Sequence, residues 1–275
     1  MKHGLGLKGL DSQEARKRAG IRTFRRENAA PAHVLPAKFD YRAMFEGPPD
    51  DQFQVGSCVF WSGLGLYEAV IAKHFGVRMP VTSRRALYTQ TQRATYPADQ
   101  FGQDNGSYAV DMLATLKSVG WTPRSAWAEL QAVTPDYFAQ PPAGATSKVH
   151  DIIDYRYVGG FNNEDQATYI DANKAAIFHL GPALIGGDWA TEWEEPGSSG
   201  DLLGANLTVA GGHERRRIGW DDTHVCLDGS RGAFLDLNQW GAGWGAEGIN
   251  LMFTPYAMEP QFVAHDVYAM FVPHP

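Results

Sequence analysis

A cysteine at the start of a predicted helix is a candidate nucleophile in this sequence. From Cys58 to Phe75, large apolar residues recur every three or four positions along one face, and Gly76 follows as a stop signal. In the first turn of a helix, unpaired N–H groups and the positive end of the dipole favour the thiolate, which is the nucleophilic form. Taken alone, however, a buried structural cysteine is the simpler interpretation of Cys58.

Two motifs far downstream extend this observation. Gly211-Gly212-His213 precedes a predicted strand, a turn and a second strand, and the run Asn238-Gln239-Trp240-Gly241 follows. A lone histidine is most often structural. A cysteine at a helix start, a Gly-Gly-His and an Asn-x-Trp-Gly in this order form a combination that indicates a catalytic site.

The elements that would position these residues change character halfway along the chain. The first half holds the helix from Cys58 and a second predicted helix over residues 107–119, which ends at Gly120. After Pro141-Pro142-Ala143-Gly144, short β-like runs follow at residues 152–158, 183–185, 232–237 and 249–253. A helix-rich half followed by a strand-rich half predicts an α+β protein with two lobes.

In combination, the motifs resemble those of the papain-like (C1) cysteine peptidases, especially bacterial and viral members with short leaders. The resemblance covers roughly residues 35 to 256. Residues 35–42 are similar to the start of the mature enzymes, and residues 238–245 to the Asn-Ser-Trp-Gly-x-x-Trp-Gly block. Other matching segments are the one that lines the cleft (104–107), a later one that follows it in the chain (121–127), and the strand that opens the second lobe (181–185).

The resemblance implies a two-lobed papain-like fold with a cleft between the lobes. We expect a basic leader over residues 1–34 and a peptidase domain over 35–275. Its helical lobe would span about residues 35–145, and its antiparallel, β-barrel-like lobe about residues 146–275.

The resemblance also implies a role for each motif residue. Cys58 would attack a carbonyl carbon as thiolate, and His213 would pair with that thiolate and protonate the leaving amine. Asn238 would orient the imidazole, and Trp240 would shield that bond from water. Gln52, six residues before the cysteine, would stabilise the oxyanion with the Cys58 N–H.

Substrate contacts follow from the same comparison. Gly106 is expected to pair with the substrate backbone, and Trp240 to line the cleft. Glu214 stands where the family lines its specificity pocket, which predicts a preference for basic or polar side chains.

The strand after His213 departs from the family pattern. It reads Glu214-Arg215-Arg216-Arg217, where an apolar strand is normal, and buried charges must be paired. If His213 faces Asn238 across an antiparallel pair, Arg215 faces Asp236, so we predict an ion pair between these two. The charged strand is compatible either with a working variant or with a domain that keeps the fold but not catalysis.

Composition limits the other classes. The chain has 275 residues, of which 44% are hydrophobic and 20% charged, as in ordinary globular proteins. No apolar run approaches the roughly 20 residues needed to span a bilayer, and residues 1–20 lack an apolar signal-peptide core. With only two cysteines, a disulfide scaffold is not expected. We therefore expect a cytoplasmic or assembly-associated protein without membrane contact.

Charge is unevenly distributed along the chain. The net charge is −7, yet residues 1–34 carry eight Lys or Arg against three Asp or Glu. Such a basic arm could lie on its own acidic domain or bind a protein partner. It lacks the interleaved aromatic residues of a base-stacking surface, so nucleic acid is not the expected partner. If the arm is held, the cleft or a neighbouring subunit is the expected place.

Three functions remain open at this level: a cysteine endopeptidase acting on polypeptides, a papain-fold hydrolase of another amide such as a cell-wall peptide, and a catalytically silent domain in a larger assembly such as a virion. No cofactor is implied. Asp222, His224 and Cys226 lie close together in sequence, but the run is expected to form the hairpin between His213 and Asn238, so no metal site is predicted. The run Gly4-Leu5-Gly6-Leu7-Lys8-Gly9 matches a dinucleotide motif only in letters, because no strand can precede it.

Overall fold

The computed structural model describes residues 3–8, 13–24, 34–45, 47, 49–147, 154–159, 165–204, 206–259 and 266–272. The α-helices of these ranges are α1 (Gln13–Arg18), α2 (Cys58–Phe75), α3 (Arg84–Thr95), α4 (Ala109–Val119) and α5 (Gln166–His179). The strands are β1 (Arg22–Thr23), β2 (Lys38–Asp40), β3 (Asp154–Tyr157), β4 (Ala183–Ala190), β5 (Val209–Val225), β6 (Arg231–Leu237), β7 (Leu251–Pro255) and β8 (Asp266–Phe271). Helices α2 to α4 precede most of the strands, which confirms the predicted α+β class.

The strands form one eight-stranded sheet. Its order is β1-β3-β8-β4-β5-β6-β7, and β2 pairs additionally with β5. Each pair is antiparallel except β1 with β3, which run parallel. The long strand β5 lies between β4 and β6 and carries both His213 and the charged run that follows it.

Helix α2 forms the centre of the core. It begins at Cys58 and ends at Gly76, whose φ of 66° closes the helix, so both predicted bounds are confirmed. Phe60, Leu64, Tyr67 and Ile71 of the predicted apolar face are buried, whereas Phe75 is exposed. Burial is not confined to this face, because every residue from Cys58 to Tyr67 is buried. Two glycines allow close packing on this segment: a methyl group at Gly63 would lie 2.1 Å from Cε of Met112.

Three helices were not predicted from the sequence: the short α1 and the longer α3 and α5. Buried positions of α3 include Arg84 and Arg85, and those of α5 include Asn173 and Lys174, so neither helix shows a clean apolar period. Their N-caps are regular: Ser83 accepts from the Ala86 N–H, as Asp165 does from Thr168. None of the helices in the described part of the chain is long and apolar enough to cross a membrane.

The charged run of β5 is buried and paired. Arg215 lies 3.6 Å from Asp236, so the predicted ion pair is confirmed. The predicted register is wrong by two residues, because Asp236 faces Arg217, whose guanidinium binds that carboxylate at 2.9 Å. Arg216 correspondingly faces Leu237, so His213 does not face Asn238, and a shift of two leaves every side chain on its face. Arg216 points elsewhere and binds Asp50 at 3.0 Å.

The basic leader contacts its own domain. Arg16 pairs with Asp266 at 3.4 Å and stacks over Tyr157, while Arg22 pairs with Asp154 at 3.0 Å. Strand β1 of the leader joins the edge of the sheet. Lys2, Arg25, Arg26 and residues 29–32 of the leader lie outside the described residues. A separate protein partner for the leader stays a prediction.

Candidate active site

Cys58 opens α2 and is fully buried. Burial raises the pKa of its thiol to about 12, although the backbone N–H groups of Glu214 and Gly6 act in the opposite direction by hydrogen bonding to Sγ. The expected stabilisation of the thiolate by the helix N-terminus is therefore outweighed in this state. The contact with the Glu214 N–H places the sulfur beside the residue that follows His213.

His213 lies on β5 opposite Gly187 of β4, and it is also fully buried. Its Nε2 atom is 2.7 Å from Oδ1 of Asn238, whereas Nδ1 has no hydrogen-bond partner among the described residues. The ring lies between Trp189 and Trp240, at centroid distances of 4.7 and 4.9 Å. Trp240 thus lies against the imidazole that is bonded to Asn238, and its shielding of that bond from water stays a prediction.

Burial lowers the pKa of His213 to about 3. The hydrogen bond that His213 donates to Oδ1 of Asn238 opposes this shift, and the nearby positive charge of Arg215 adds to it. With the pKa of Cys58 raised and that of His213 lowered, the pair is neutral at pH 7: a thiol and an imidazole rather than an ion pair.

Gln52 is buried in the loop before α2. Its side-chain N–H₂ donates to the carbonyl oxygens of Gly4 and of Val55, the latter at 3.0 Å. Its Oε1 accepts from the side chain of Gln239 at 2.9 Å. The amide proposed for the oxyanion is thus already engaged by a carbonyl group of the leader.

Gln239 connects the predicted residues and was missed by the sequence analysis. Its side-chain nitrogen donates to Gln52 and to the carbonyl of Glu214 at 2.8 Å, and lies 3.3 Å from Nε2 of His213. Its Oε1 accepts from Ser62 of α2 at 3.1 Å. The sequence signal that could have identified Gln239 is its position directly after Asn238, inside the recognised motif.

A second missed group fixes the loop that precedes Cys58. Asp104 accepts from the Gly56 N–H and from the Tyr88 hydroxyl, both at 2.8 Å. The same hydroxyl accepts from the Gly106 N–H at 2.7 Å. Asp104 and Tyr88 therefore tie the loop before the cysteine to the segment around Gly106, which was expected to line the cleft.

The leader occupies the space between these elements as an extended chain. Leu7 donates to the carbonyl of Gly212 at 3.1 Å, and Lys8 donates to that of Ser107, also at 3.1 Å. Ser107 in turn donates to the carbonyl of Gly6 at 2.7 Å. The leader therefore pairs with both walls of a cleft, antiparallel to Gly212 and parallel to Ser107.

Glycines allow the leader to approach so closely. A methyl group at Gly4 would lie 2.3 Å from the carbonyl oxygen of Val55, and one at Gly6 would lie 1.8 Å from that of Gly56. His3 completes the cover by stacking on Trp240 at a centroid distance of 4.5 Å. The Gly-x-Gly run of the leader thus fits a protein surface and not a nucleotide.

Solved structures of similar shape are cysteine proteases. Xylellain, a cysteine protease from Xylella fastidiosa, matches with a TM-score of 0.71 at 19% identity, over 99% of this chain and 97% of that chain. The proform of the ragweed allergen Amb a 11 matches with a TM-score of 0.67 at 16% identity, over 98% of this chain and 77% of that chain. ProCathepsin B from Trypanosoma congolense matches with a TM-score of 0.64 at 15% identity, over 98% of this chain and 87% of that chain. The chain has the papain-like fold. No protein-family model matches the sequence, and no curated protein sequence matches it significantly.

Within this papain-like fold, the four predicted catalytic residues converge. Gln52, His213 and Asn238 are joined by hydrogen bonds, directly or through Gln239, and Cys58 is joined to them through the Glu214 backbone. Their catalytic roles stay predictions, because a shared fold does not establish activity.

Glu214 lies beside the leader, and its place in a specificity pocket stays a prediction. It is fully buried and faces Gly186 across the β4–β5 pair. A methyl group at Gly186 would lie 2.5 Å from Oε2 of Glu214 and 2.8 Å from Cδ2 of Leu7. The Leu7 side chain and the Glu214 carboxylate therefore both lie against Gly186 of β4.

Proposed function

We propose that this chain is a cysteine endopeptidase that hydrolyses peptide bonds through a thioester acyl-enzyme. The observation that carries the proposal is the extended leader itself. Residues 4–8 lie across Cys58 and pair with Ser107 and Gly212 through backbone hydrogen bonds. A cleft that holds one polypeptide by its backbone is suited to a second polypeptide as substrate.

The proposed reaction uses the residues that converge there. The Cys58 thiolate attacks the carbonyl carbon, and the oxyanion is stabilised by the Gln52 amide and the Cys58 N–H. The C–N bond then breaks, and the His213 imidazolium gives its proton to the leaving amine. In the second half, His213 takes a proton from water, which attacks the thioester. Breakage of the C–S bond releases the carboxylic acid and restores the thiolate. Asn238 holds the imidazole in the required orientation throughout.

With the leader in place, we propose that the enzyme is latent. The Gly4 carbonyl occupies the Gln52 amide, and the buried Cys58–His213 pair stays neutral. Displacement of the leader would readmit water, and solvation would favour the ion pair that catalysis needs. Two of the similar structures, proCathepsin B and Amb a 11, are also of proforms, and this supports the proposal.

Within the proposed function, Glu214 selects a basic side chain. The Glu214 carboxylate lies next to the place of the Leu7 side chain, and an ammonium or guanidinium group there would form a charge-assisted hydrogen bond. In a peptide library, Glu214→Gln is expected to reduce the preference for Arg over Leu by about tenfold or more. Glu195→Gln, at an exposed position, is the matched control. A preference for large apolar residues alone would contradict this assignment.

Active-site labelling tests the proposed function. An epoxide inhibitor of thiol proteases should modify Cys58 and not Cys226 once the leader is displaced, and Cys58→Ser should abolish both labelling and peptide turnover. Cys226→Ser is the control that should retain both. Failure of the folded chain to label at Cys58 would instead indicate a catalytically silent domain. Labelling with turnover of cell-wall peptides but not of polypeptides would indicate another amide hydrolase.

A further inference from the structure

Three metal-ligating side chains converge at the C-terminal end of β5, whereas His213 lies near the other end of that strand. Asp201, His224 and Cys226 each place one ligand atom within 4.8 Å of the other two. The proposed catalytic mechanism uses none of them. The sequence pointed to Asp222 as the third member, but its carboxylate instead binds Lys174 and the Tyr256 hydroxyl.

The backbone holds these side chains in defined positions. Asp201 forms a β-bridge with Phe253 of β7. On either side of it, the Leu202 N–H donates to the Phe253 carbonyl at 3.1 Å, and the Phe253 N–H donates to the Gly200 carbonyl at 2.9 Å. The imidazole of His224 stacks on the Phe253 ring, with centroids 4.1 Å apart and an interplanar angle of 6°. One aromatic residue thus fixes both the carboxylate loop and the imidazole.

Cys226 is fixed by the turn between β5 and β6. Its N–H donates to the Ser230 carbonyl, and its carbonyl accepts from the Gly229 N–H, both at 2.9 Å. The side chain is buried, and Sγ lies 3.9 Å from the carbonyl oxygen of Gly232. Both Cys58 and Cys226 are free thiols, so no disulfide competes for this sulfur.

We propose that Asp201, His224 and Cys226 bind a single zinc ion. A thiolate, an imidazole and a carboxylate are the three ligand types that Zn²⁺ takes in proteins. With metal–ligand distances of about 2.0 to 2.3 Å, tetrahedral geometry separates neighbouring ligand atoms by about 3.4 to 3.6 Å. The present set, within 4.8 Å, reaches this geometry through small side-chain rotations.

Binding replaces protons by the metal. The Cys226 thiol releases its proton to solvent on coordination. The hydrogen bond of 2.6 Å between Nε2 of His224 and Oδ1 of Asp201 is broken, and the neutral imidazole binds the ion through Nε2 with its proton on Nδ1. These two atoms then move apart to share the ion. The His224 side chain is 20% exposed, so the ion can enter from solvent and a water molecule can complete the four ligands.

The bound ion would join three separate segments: the loop between β4 and β5, the end of β5, and the turn before β6. A ligand that binds only the folded state stabilises it in proportion to the logarithm of its concentration. Zinc is therefore expected to raise the melting temperature of the chain.

Metal binding to the full chain with Cys58→Ser tests the proposal, because Cys226 is then the one remaining thiol. Zinc titrated against a chromophoric chelator should bind at one ion per chain. Cobalt in its place should show a thiolate-to-metal charge-transfer band and the strong visible bands of a tetrahedral site. Adding Cys226→Ser or Asp201→Asn should weaken zinc binding at least tenfold and remove or alter these bands. His74→Ala, an exposed histidine, is the matched control and should change nothing.

Two results would overturn the zinc site. One is the absence of stoichiometric zinc binding to the folded Cys58→Ser chain. The other is binding that survives both substitutions unchanged, which would place the metal elsewhere, for example at His213. If Cys226→Ser fails to fold, Asp201→Asn carries the same test, since it keeps the size of the side chain and removes its charge.

Discussion

The carbonyl oxygen of Gly4 accepts a hydrogen bond from the side-chain amide of Gln52. In the proposed mechanism this amide stabilises the oxyanion, so the leader takes the place of the reacting group. The hydrogen bond exists because Gly4, without a side chain, approaches the backbone of Val55 closely. Latency and catalysis therefore compete for the same N–H donor, and the balance depends on how firmly the leader is seated.

A bulky residue at Gly6 should release this latency. The Cβ of Gly6→Val would lie 1.8 Å from the Gly56 carbonyl oxygen, and backbone cannot give way as a flexible side chain can. We expect the full-length variant to cleave a fluorogenic peptide at least tenfold faster than the parent chain, because the open state is then more populated. The rate is measured before any cleavage of the leader is seen by mass spectrometry.

Gly20→Asn provides the control within the leader. Gly20 has a φ of 71° and nothing within 4 Å of an added methyl group, and Asn tolerates this left-handed conformation. It should leave the rate unchanged. Equal rates for Gly6→Val and the parent chain, with the variant folded, would show that the leader does not limit activity.

The buried His213 predicts a loss of stability in acid. The pKa of His213 is lowered from 6.5 to about 3 in the folded chain. Between these two pH values the unfolded chain therefore binds one proton more than the folded chain. Its contribution to the free energy of unfolding is therefore fully present above about pH 6.5 and is lost as the pH falls toward 3. Between pH 7 and pH 5 this amounts to about 2 kcal/mol.

Urea unfolding of the parent chain and of His213→Gln at both pH values measures this contribution. The variant should lose less stability on acidification, by about that same 2 kcal/mol. His74→Gln, which changes an exposed histidine, should behave as the parent chain. An identical pH dependence in the parent chain and His213→Gln would show that His213 is not buried in the neutral form.

The motif residues and α2 could be predicted because their signals are local. Cys58 opens a strongly apolar segment that ends at a glycine, and the downstream motifs have a fixed order. Helix α3 could not be predicted, since its inward-facing positions include Arg84 and Arg85. These two bind Glu68 and the carbonyls of a distant loop, partners that no periodicity reveals.

The leader and the register of β5 illustrate two other limits. Glycine at Gly4 and Gly6 is required by the carbonyl groups of Val55 and Gly56, and this contact is visible only in three dimensions. The partner of Asp236 was misassigned because the register was counted from His213 facing Asn238, whereas the strands pair with Arg216 opposite Leu237, and no local signal in the sequence gives this offset. The charge pairing was still predictable, since neutralisation of a buried guanidinium is required in any register.

Removal of the Asp104 carboxylate should slow turnover more than it destabilises the fold. Asp104 holds the Gly56 N–H and the Tyr88 hydroxyl but is itself exposed, so we expect Asp104→Ala to lower the free energy of unfolding by only about 1 kcal/mol. The loop that carries Gln52 and Cys58 then loses its tie to the opposite wall. In the Gly6→Val background, kcat should fall about tenfold, as a misplaced donor loses part of its effect.

Asp99→Ala, an exposed acidic residue a few positions earlier, is the matched control and should keep the full kcat. Tyr88→Phe should reproduce the loss, because it removes the hydroxyl that links Asp104 to the Gly106 N–H. A change in KM alone, with kcat intact, would assign Asp104 to substrate binding and not to the position of the loop.

The buried cluster around Arg217 should be indispensable for stability. Its guanidinium binds Asp236 and Glu259, and all three side chains are fully buried. Arg217→Met fills the space but leaves two carboxylates with only Arg215 as a counter-charge. Because removal of the guanidinium leaves buried negative charge without compensation, we expect the free energy of unfolding to fall by about 3 to 5 kcal/mol. Arg231→Met, at an exposed position of β6, should change it by less than about 0.5 kcal/mol. Urea titration at pH 7 measures both, and a loss below about 1 kcal/mol for Arg217→Met would show that the charged strand is not held by this pairing.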